Sequence, residues 1–145
     1  MAEAIGLVAS CAQLIHLSGT LLAGGYSFLS QVSRAPTEMR SLLTEAAAVN
    51  SLLSQLQVIA DTTPDSAVLD ALSTLDGLGV FQECKATLSF IQTALARCQQ
   101  DAGKDLRNFG RRLAWPFKEK ETKDAVQRLH RLRGILANAM EVDSA

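Results

Sequence analysis

The sequence predicts an all-α fold, a bundle of about four long helices with one short connecting helix. Of the 145 residues, 48% are apolar but only 5% are aromatic, a balance typical of packed helices. Apolar residues recur at alternating steps of three and four in three long segments, and no segment alternates with the period of a strand. A fourth segment, between Glu3 and Arg34, has no charged side chain. The length suits a single domain, which we place at residues 1–142, with 143–145 as a tail or the start of a linker.

The first predicted helix runs from about Ala2 to Ser33 and is apolar on most sides. One stripe consists of Ile5, Val8, Ala12, Ile15, Gly19 and Leu22. A second stripe consists of Leu7, Cys11, Leu14, Leu21 and Phe28. Such a helix is either wrapped by other helices or embedded in lipid. Because Gln13 and His16 weaken a permanent membrane span, we expect the other helices to sheathe it at rest.

Small residues and glycines modify this first helix. A ridge of small side chains allows close approach of another helix, in a membrane or within the bundle, and it consists of Ala2, Gly6 and Ser10. The pair Gly24-Gly25 is expected to be a point of bending, because glycine loses the most backbone entropy on folding.

The second long helix is expected to begin near Pro36 and to end near Asp61. Proline suits a first helical turn, and Thr62-Thr63-Pro64 interrupts the pattern. Its buried seam is predicted to be Met39, Leu42, Ala46, Val49, Leu53 and Leu56. A short helix should follow from Pro64 to about Leu75, and Gly77 and Gly79 should then break the chain.

Two further long helices complete the predicted bundle. One begins near Val80 and continues past Gly103, with the seam Cys84, Leu88, Ile91, Leu95 and Cys98. The last runs from Lys118 to Met140, with the seam Ala125, Leu129, Leu132, Leu136 and Ala139. Proline disfavours helix in the residue before it, so a hinge is predicted between these helices at Trp115, Pro116 and Phe117.

Charge is segregated along the chain. Residues 1–105 carry 10 acidic and 5 basic side chains, whereas residues 106–145 carry 5 and 9. This basic excess is too small for a nucleic-acid-binding domain. Cations next to an aromatic pair can bind anionic lipid headgroups, and the candidates are Arg107, Arg111, Arg112, Lys118, Lys120 and Lys123. Alternatively, Trp115 and Phe117 pin the hinge into the core while the charges are simply solvated.

The sequence gives little support for catalysis, a metal or a cofactor. His16 and His130 are isolated, no two cysteines have ligand spacing, and no nucleophile is accompanied by a base. We therefore expect a protein that is not an enzyme and has no cofactor or metal site. Three cysteines without a CxxC pair, together with no secretory pattern, indicate buried thiols in the cytoplasm.

Three segments resemble one protein family. They are the opening Met1–Ser10, the helix start Ala35–Glu38, and the stretch Leu113–Thr122 with its W-P-F-x-x-x-E pattern. They resemble the HeLo-like (HELL-type) N-terminal domains of fungal NLR-like (STAND) receptors and related cell-death proteins. The Trp-Pro-Phe block is the most specific of the three.

The resemblance implies a bundle similar to the four-helix domain of the mixed-lineage kinase-like pseudokinase. It also implies regulated cell death in heterokaryon incompatibility or innate immunity. Under a sensor domain of the parent protein, the cytoplasmic domain would homo-oligomerise, reach anionic lipids of the plasma membrane and permeabilise it. The inserting side chains would be Ile5, Leu7, Val8, Leu14, Ile15, Leu21 and Leu22. The alternative function is a protein-interaction module N-terminal to such a receptor, without membrane contact.

Overall fold

The computed structural model describes residues 2–31, 37–62, 66–104 and 117–144, with side chains at 6–30, 37–62, 67–97 and 117–140. These residues form five helices and no strand, so the predicted all-α fold is confirmed. In chain order the helices are α1 (Ala2–Gln31), α2 (Thr37–Thr62), α3 (Ser66–Gly77), α4 (Val80–Lys104) and α5 (Glu119–Ser144). Four are long, and α3 is the predicted short connecting helix.

The helix boundaries differ slightly from those expected. α3 extends through Gly77, which was predicted as part of the break, and α5 continues past Met140 to Ser144. The break itself lies at Leu78 and Gly79. The amide of Gly79 donates to the carbonyl of Asp76 at 3.0 Å, and its φ of 77° is the left-handed conformation that glycine adopts without strain.

The four long helices form a ring in the order α1, α2, α5, α4, and α3 packs mainly against α4 and α5. α1 and α2 are antiparallel, because Asn50 contacts Ser18 whereas Leu43 lies against Gly25. α4 and α5 are also antiparallel, because Phe90 stacks on Phe117 near the start of α5 and Glu83 pairs with Arg131 farther along it. α2 and α5 run in the same direction, because Glu38 and Lys123 line one groove near their starts and Val58 and Met140 line another near their ends. It follows that α1 and α4 are parallel.

The predicted seams supply most of the core. Every seam residue of α2 is buried, and so are the predicted seam residues of α4 up to Leu95 and those of α5 from Ala125 to Leu136. The side chain of Cys98 lies outside the described residues. Phe90, which does not belong to the predicted seam of α4, is 53% exposed.

α1 is not sheathed, and that expectation is wrong. Its second stripe, from Leu7 to Phe28, is buried, but the other stripe lies at the rim: Val8, Ile15 and Leu22 are half-buried, whereas Ala12 and Gly19 are exposed. In a ring of four helices each helix packs against two neighbours, and the face opposite the ring centre stays open. α1 is therefore one wall of the bundle.

Ion pairs join α5 to its two neighbours. The carboxylate of Glu45 in α2 lies 3.4 Å from Nε of Arg133 and 3.2 Å from Nδ1 of His130. In α4, Glu83 pairs with Arg131. α1 has no charged side chain after Glu3 and takes part in none of these pairs. α2 and α4 are thus each joined to α5 by an ion pair, whereas α1 is held by apolar packing and hydrogen bonds.

Gly25 allows α1 and α2 to approach closely. The α-helix is unbroken through Gly24-Gly25. A Cβ atom at position 25 would overlap Cδ2 of Leu43, a side chain that is 2% exposed. The structural role of Gly25 is therefore space for the neighbouring helix, where the sequence had predicted a bend.

Gly25→Val is expected to lower the free energy of unfolding by about 1–3 kcal/mol, because the added methyls overpack the α1–α2 contact. Urea unfolding measures the loss, and Gly25→Val should cost less when it is introduced into a Leu43→Ala chain than into the wild type, because the overlapping side chain is then absent. The matched control is Gly134→Val, since an added Cβ at that exposed position of α5 meets nothing within 4 Å. Equal destabilisation by the two valines would show that the α1–α2 approach is not tight.

Candidate functional site

α1 contains the candidate functional surface of the molecule. Gly6–Ser30, 25 residues, is the one stretch of the described chain that is long and apolar enough to cross a membrane. It measures roughly 37 Å, against about 30 Å for the hydrocarbon core of a bilayer. Only 28% of its most apolar window is buried in the bundle. A core helix of a soluble protein and a signal sequence near the N-terminus pass the same test of length and composition. The buried share does not distinguish α1, since α2 also buries only seven of its 26 residues. What distinguishes α1 is that its exposed face has no charged side chain.

The outward face of α1 is uncharged and built largely from small residues. Its exposed members are Gly6, Ala9, Ala12, Gln13, His16, Gly19, Thr20, Ala23, Tyr26, Ser27 and Ser30. The hydroxyls of Thr20 and Ser30 already donate within the helix, to the carbonyls of His16 at 2.9 Å and of Ser27 at 2.6 Å. Because these donors are satisfied internally, transferring them to an apolar environment costs less.

A buried polar link holds the inward face of α1 against α2. Nδ2 of Asn50 donates to Oγ of Ser18 at 2.7 Å and to the carbonyl of Ile15 at 3.1 Å. Ser18 is fully buried, and its hydroxyl lies 3.1 Å from the same carbonyl. We call this set the Asn50 link. Sequence reasoning missed it, although Asn50 directly follows the seam residue Val49 and so lies at the edge of the buried seam.

The predicted inserting residues lie on the inward face or at the rim. Leu7, Leu14 and Leu21 are buried, Val8, Ile15 and Leu22 are half-buried, and the side chain of Ile5 is outside the described residues. None of the six described aliphatics faces outward. Insertion into lipid would therefore require α1 to separate from α2 and α4. In the small-residue ridge, Gly6 is exposed, Ser10 is half-buried, and the side chain of Ala2 is not described.

The described half of the predicted basic cluster is balanced by acids. Lys118, Lys120 and Lys123 are exposed near the start of α5, but Glu119 and Glu121 alternate with them. Nζ of Lys123 lies 2.9 Å from Glu119, and this hydrogen bond raises the pKa of the lysine. The described lysines thus form no strongly positive surface. The other three candidates, Arg107, Arg111 and Arg112, lie outside the described residues.

One residue of the predicted hinge packs against the bundle. The half-buried ring of Phe117 is 5.4 Å from that of Phe90, tilted by 44°. Aromatic pairs at this separation attract each other, so Phe117 fastens the start of α5 to α4. Trp115 and Pro116 lie outside the described residues.

Comparison with protein-family models, curated proteins and solved structures found no match for this chain. We therefore infer the function of this chain from α1 and from the residues around it. No group of three potential metal ligands occurs among the described histidine, cysteine and acidic side chains.

Two buried thiols report on the packing of α1. Cys11 of α1 and Cys84 of α4 are free and almost inaccessible. Desolvation by burial raises the pKa of Cys11 to about 11 and that of Cys84 to about 12. Thiols of this kind are poor nucleophiles at neutral pH, because the thiolate is the reactive form.

Alkylation of Cys11 by iodoacetamide at neutral pH is expected to be at least ~100-fold slower in the folded protein than in urea, since both thiolate fraction and access fall. Mass spectrometry of a Cys98→Ser variant resolves the two sites, and the urea-unfolded chain gives the reference rate. Rapid labelling of both Cys11 and Cys84 in the folded protein would mean that α1 is already detached in solution, because the two thiols are close together and the departure of α1 uncovers both.

Proposed function

We propose that this chain is a membrane-permeabilising domain of a fungal cell-death protein. In this proposal a sensor domain brings copies together, α1 leaves the bundle, and the released helices insert into the plasma membrane. The observation that carries the proposal is α1, which is long enough to span a bilayer and has no charged side chain from Gly6 to Ser30, even on its outward face. The Trp-Pro-Phe resemblance supplies the biological setting.

The exchange of a protein environment for lipid is plausible energetically. Burying a leucine or phenylalanine side chain contributes roughly 1.5–3 kcal/mol, and α1 buries Leu7, Leu14, Leu21 and Phe28. These side chains stay out of water in a bilayer, so release forfeits mainly their packing and the Asn50 link. Because the outward face has no charged side chain, insertion carries no free-energy cost for moving a charge into lipid.

Contact with lipid and self-association of α1 then offset the loss of packing and of the Asn50 link. Small outward residues such as Ala9, Gly19 and Ala23 allow released helices to pack closely on one another. In the proposal, the cations between Arg107 and Lys123 contact anionic headgroups on the cytoplasmic side, each contributing about 1 kcal/mol near such a surface. Homo-oligomers and anionic lipids are therefore the proposed partners.

Dye release from vesicles tests the proposal directly. The purified protein, concentrated until it oligomerises, is added to vesicles rich in phosphatidylserine and to phosphatidylcholine vesicles as the control. We expect leakage from the anionic vesicles, accompanied by faster alkylation of Cys11. Absence of leakage from anionic vesicles across all oligomer-forming concentrations would contradict the proposal.

A second function, a protein-interaction module, is favoured by the same outward face. Its small exposed residues suit the docking of a partner helix without lipid. Ile15→Glu in the parent protein separates the two, because Ile15 is half-buried at the rim and does not belong to the exposed outward face: killing and membrane localisation disappear under the first proposal, whereas partner binding persists under the second if the helices stay folded.

A further inference from the structure

A groove between α1 and α4 has a volume of about 760 Å³. Leu14, Leu17 and Phe81 form its apolar floor, and Gln13 and Gln82 form part of its rim. The two walls are parallel helices, so the lining side chains stand in two rows about two turns, or roughly 12 Å, long. This is the length of a short amphipathic helix.

The groove has opposite charges along its length. Asp76, at the end of α3, lies with Ser10 at one end, where an adjoining groove contains Gly6 and Gly77. Lys85 lies one turn farther along α4 than Phe81. The side chains of Asp76 and Lys85 are exposed, and neither forms an ion pair with another described residue. The groove is thus lined by two exposed charges of opposite sign, Asp76 at one end and Lys85 in the α4 row between Phe81 and Ser89.

We propose that this groove binds an amphipathic helix of a partner protein. The helix lays its apolar side chains on the floor, sets an acidic residue beside Lys85 and sets a basic residue beside Asp76. A helix fits better than a small molecule, because the groove is open to solvent along its length and small ligands need 70–90% of their surface enclosed. Rows of side chains three and four residues apart accept the side chains of a third helix.

The consequence for activity rests on the proposed function. Because the groove exists only while α1 and α4 are packed together, a helix bound there stabilises the closed bundle and opposes the release of α1. The partner is therefore an inhibitor that must dissociate before α1 can insert.

Three labelled synthetic helices of roughly 14 residues test the assignment. All three have the same leucine face. The mixed peptide has one acidic and one basic end, the acidic peptide has two acidic ends, and the basic peptide has two basic ends. By fluorescence anisotropy, the wild-type protein should prefer the mixed peptide, Lys85→Glu the basic one and Asp76→Lys the acidic one, each by roughly three- to ten-fold. Arg128→Glu, at an exposed position of α5, should leave the wild-type order unchanged, and circular dichroism checks that the variants are folded.

An order of preference that does not change with Lys85→Glu and Asp76→Lys would overturn the assignment. So would laurate displacing the mixed peptide and binding more tightly to Asp76→Lys, since that result identifies an anionic amphiphile as the ligand. Dye release distinguishes a failure of the groove assignment from a failure of the proposed membrane function. Vesicle leakage without the expected peptide preferences contradicts the groove alone, whereas the expected preferences without leakage support the groove and contradict the proposed function.

Discussion

Gly19→Glu is expected to abolish dye release while leaving the bundle folded. Gly19 lies near the centre of the Gly6–Ser30 stretch, is exposed, and has open space around an added Cβ atom. A charge at the centre of a membrane span costs about 2.5–3.5 kcal/mol per helix, so insertion should fall by ~100-fold or more. In water the same substitution should stabilise α1 by about 0.5 kcal/mol, because glutamate is the better helix former.

Two controls separate charge from other effects of this substitution. Gly19→Gln has nearly the same shape without the charge and should leak more than Gly19→Glu but less than the wild type, because a polar amide also costs free energy in the hydrocarbon core. Gly134→Glu adds the same side chain to an exposed glycine of α5 with equally open surroundings and should leak like the wild type. Full leakage by Gly19→Glu, with thermal stability unchanged, would mean that α1 does not enter the hydrocarbon core.

Asn50→Asp is expected to loosen α1 while preserving side-chain shape. The carboxylate cannot replace the two N–H bonds from Nδ2 to Ser18 and Ile15, and it places negative charge beside the Ile15 carbonyl. Leaving these groups unsatisfied should lower the free energy of unfolding by about 1–3 kcal/mol. We expect urea unfolding at lower concentration, faster alkylation of Cys11, and dye release at lower protein concentration.

The matched control for the Asn50 link is Asn138→Asp, an exposed asparagine of α5. It makes the same chemical change away from α1 and should alter stability by less than about 0.5 kcal/mol. If Asn50→Asp unfolds earlier but dye release is unchanged, the link stabilises the bundle without controlling the exit of α1.

The sequence predicted the seams of α2, α4 and α5 well because each of these helices has a single apolar face. Polar residues between Met39 and Leu56 leave only one side that can be buried, and the structure buries it. α1 has two apolar stripes and no charged face, so periodicity alone cannot tell which stripe meets the neighbours. The stripe with Leu7, Leu14 and Leu21 does, since larger residues fill the ring centre.

The functional surfaces were harder to predict. The Asn50 link depends on one amide that forms no repeating pattern, and the amide reaches Ser18 only because α1 and α2 are antiparallel. The groove between α1 and α4 brings together Asp76 and Leu14, which are far apart in the chain. Such sites depend on how helices are arranged, and spacing along one helix contains no information about that.

The ion pairs of α5 bear on what remains of the domain once α1 has gone. Glu45 with Arg133, and Glu83 with Arg131, join the other three walls without any contribution from α1. Withdrawal of α1 therefore breaks none of these ion pairs and exposes one apolar side of a remnant made of three long helices and the short α3. We expect these helices to stay packed together at the bilayer surface. Their mutual packing should weaken as ionic strength rises, because salt screens the ion pairs, whereas the contact of α1 with the bundle should not.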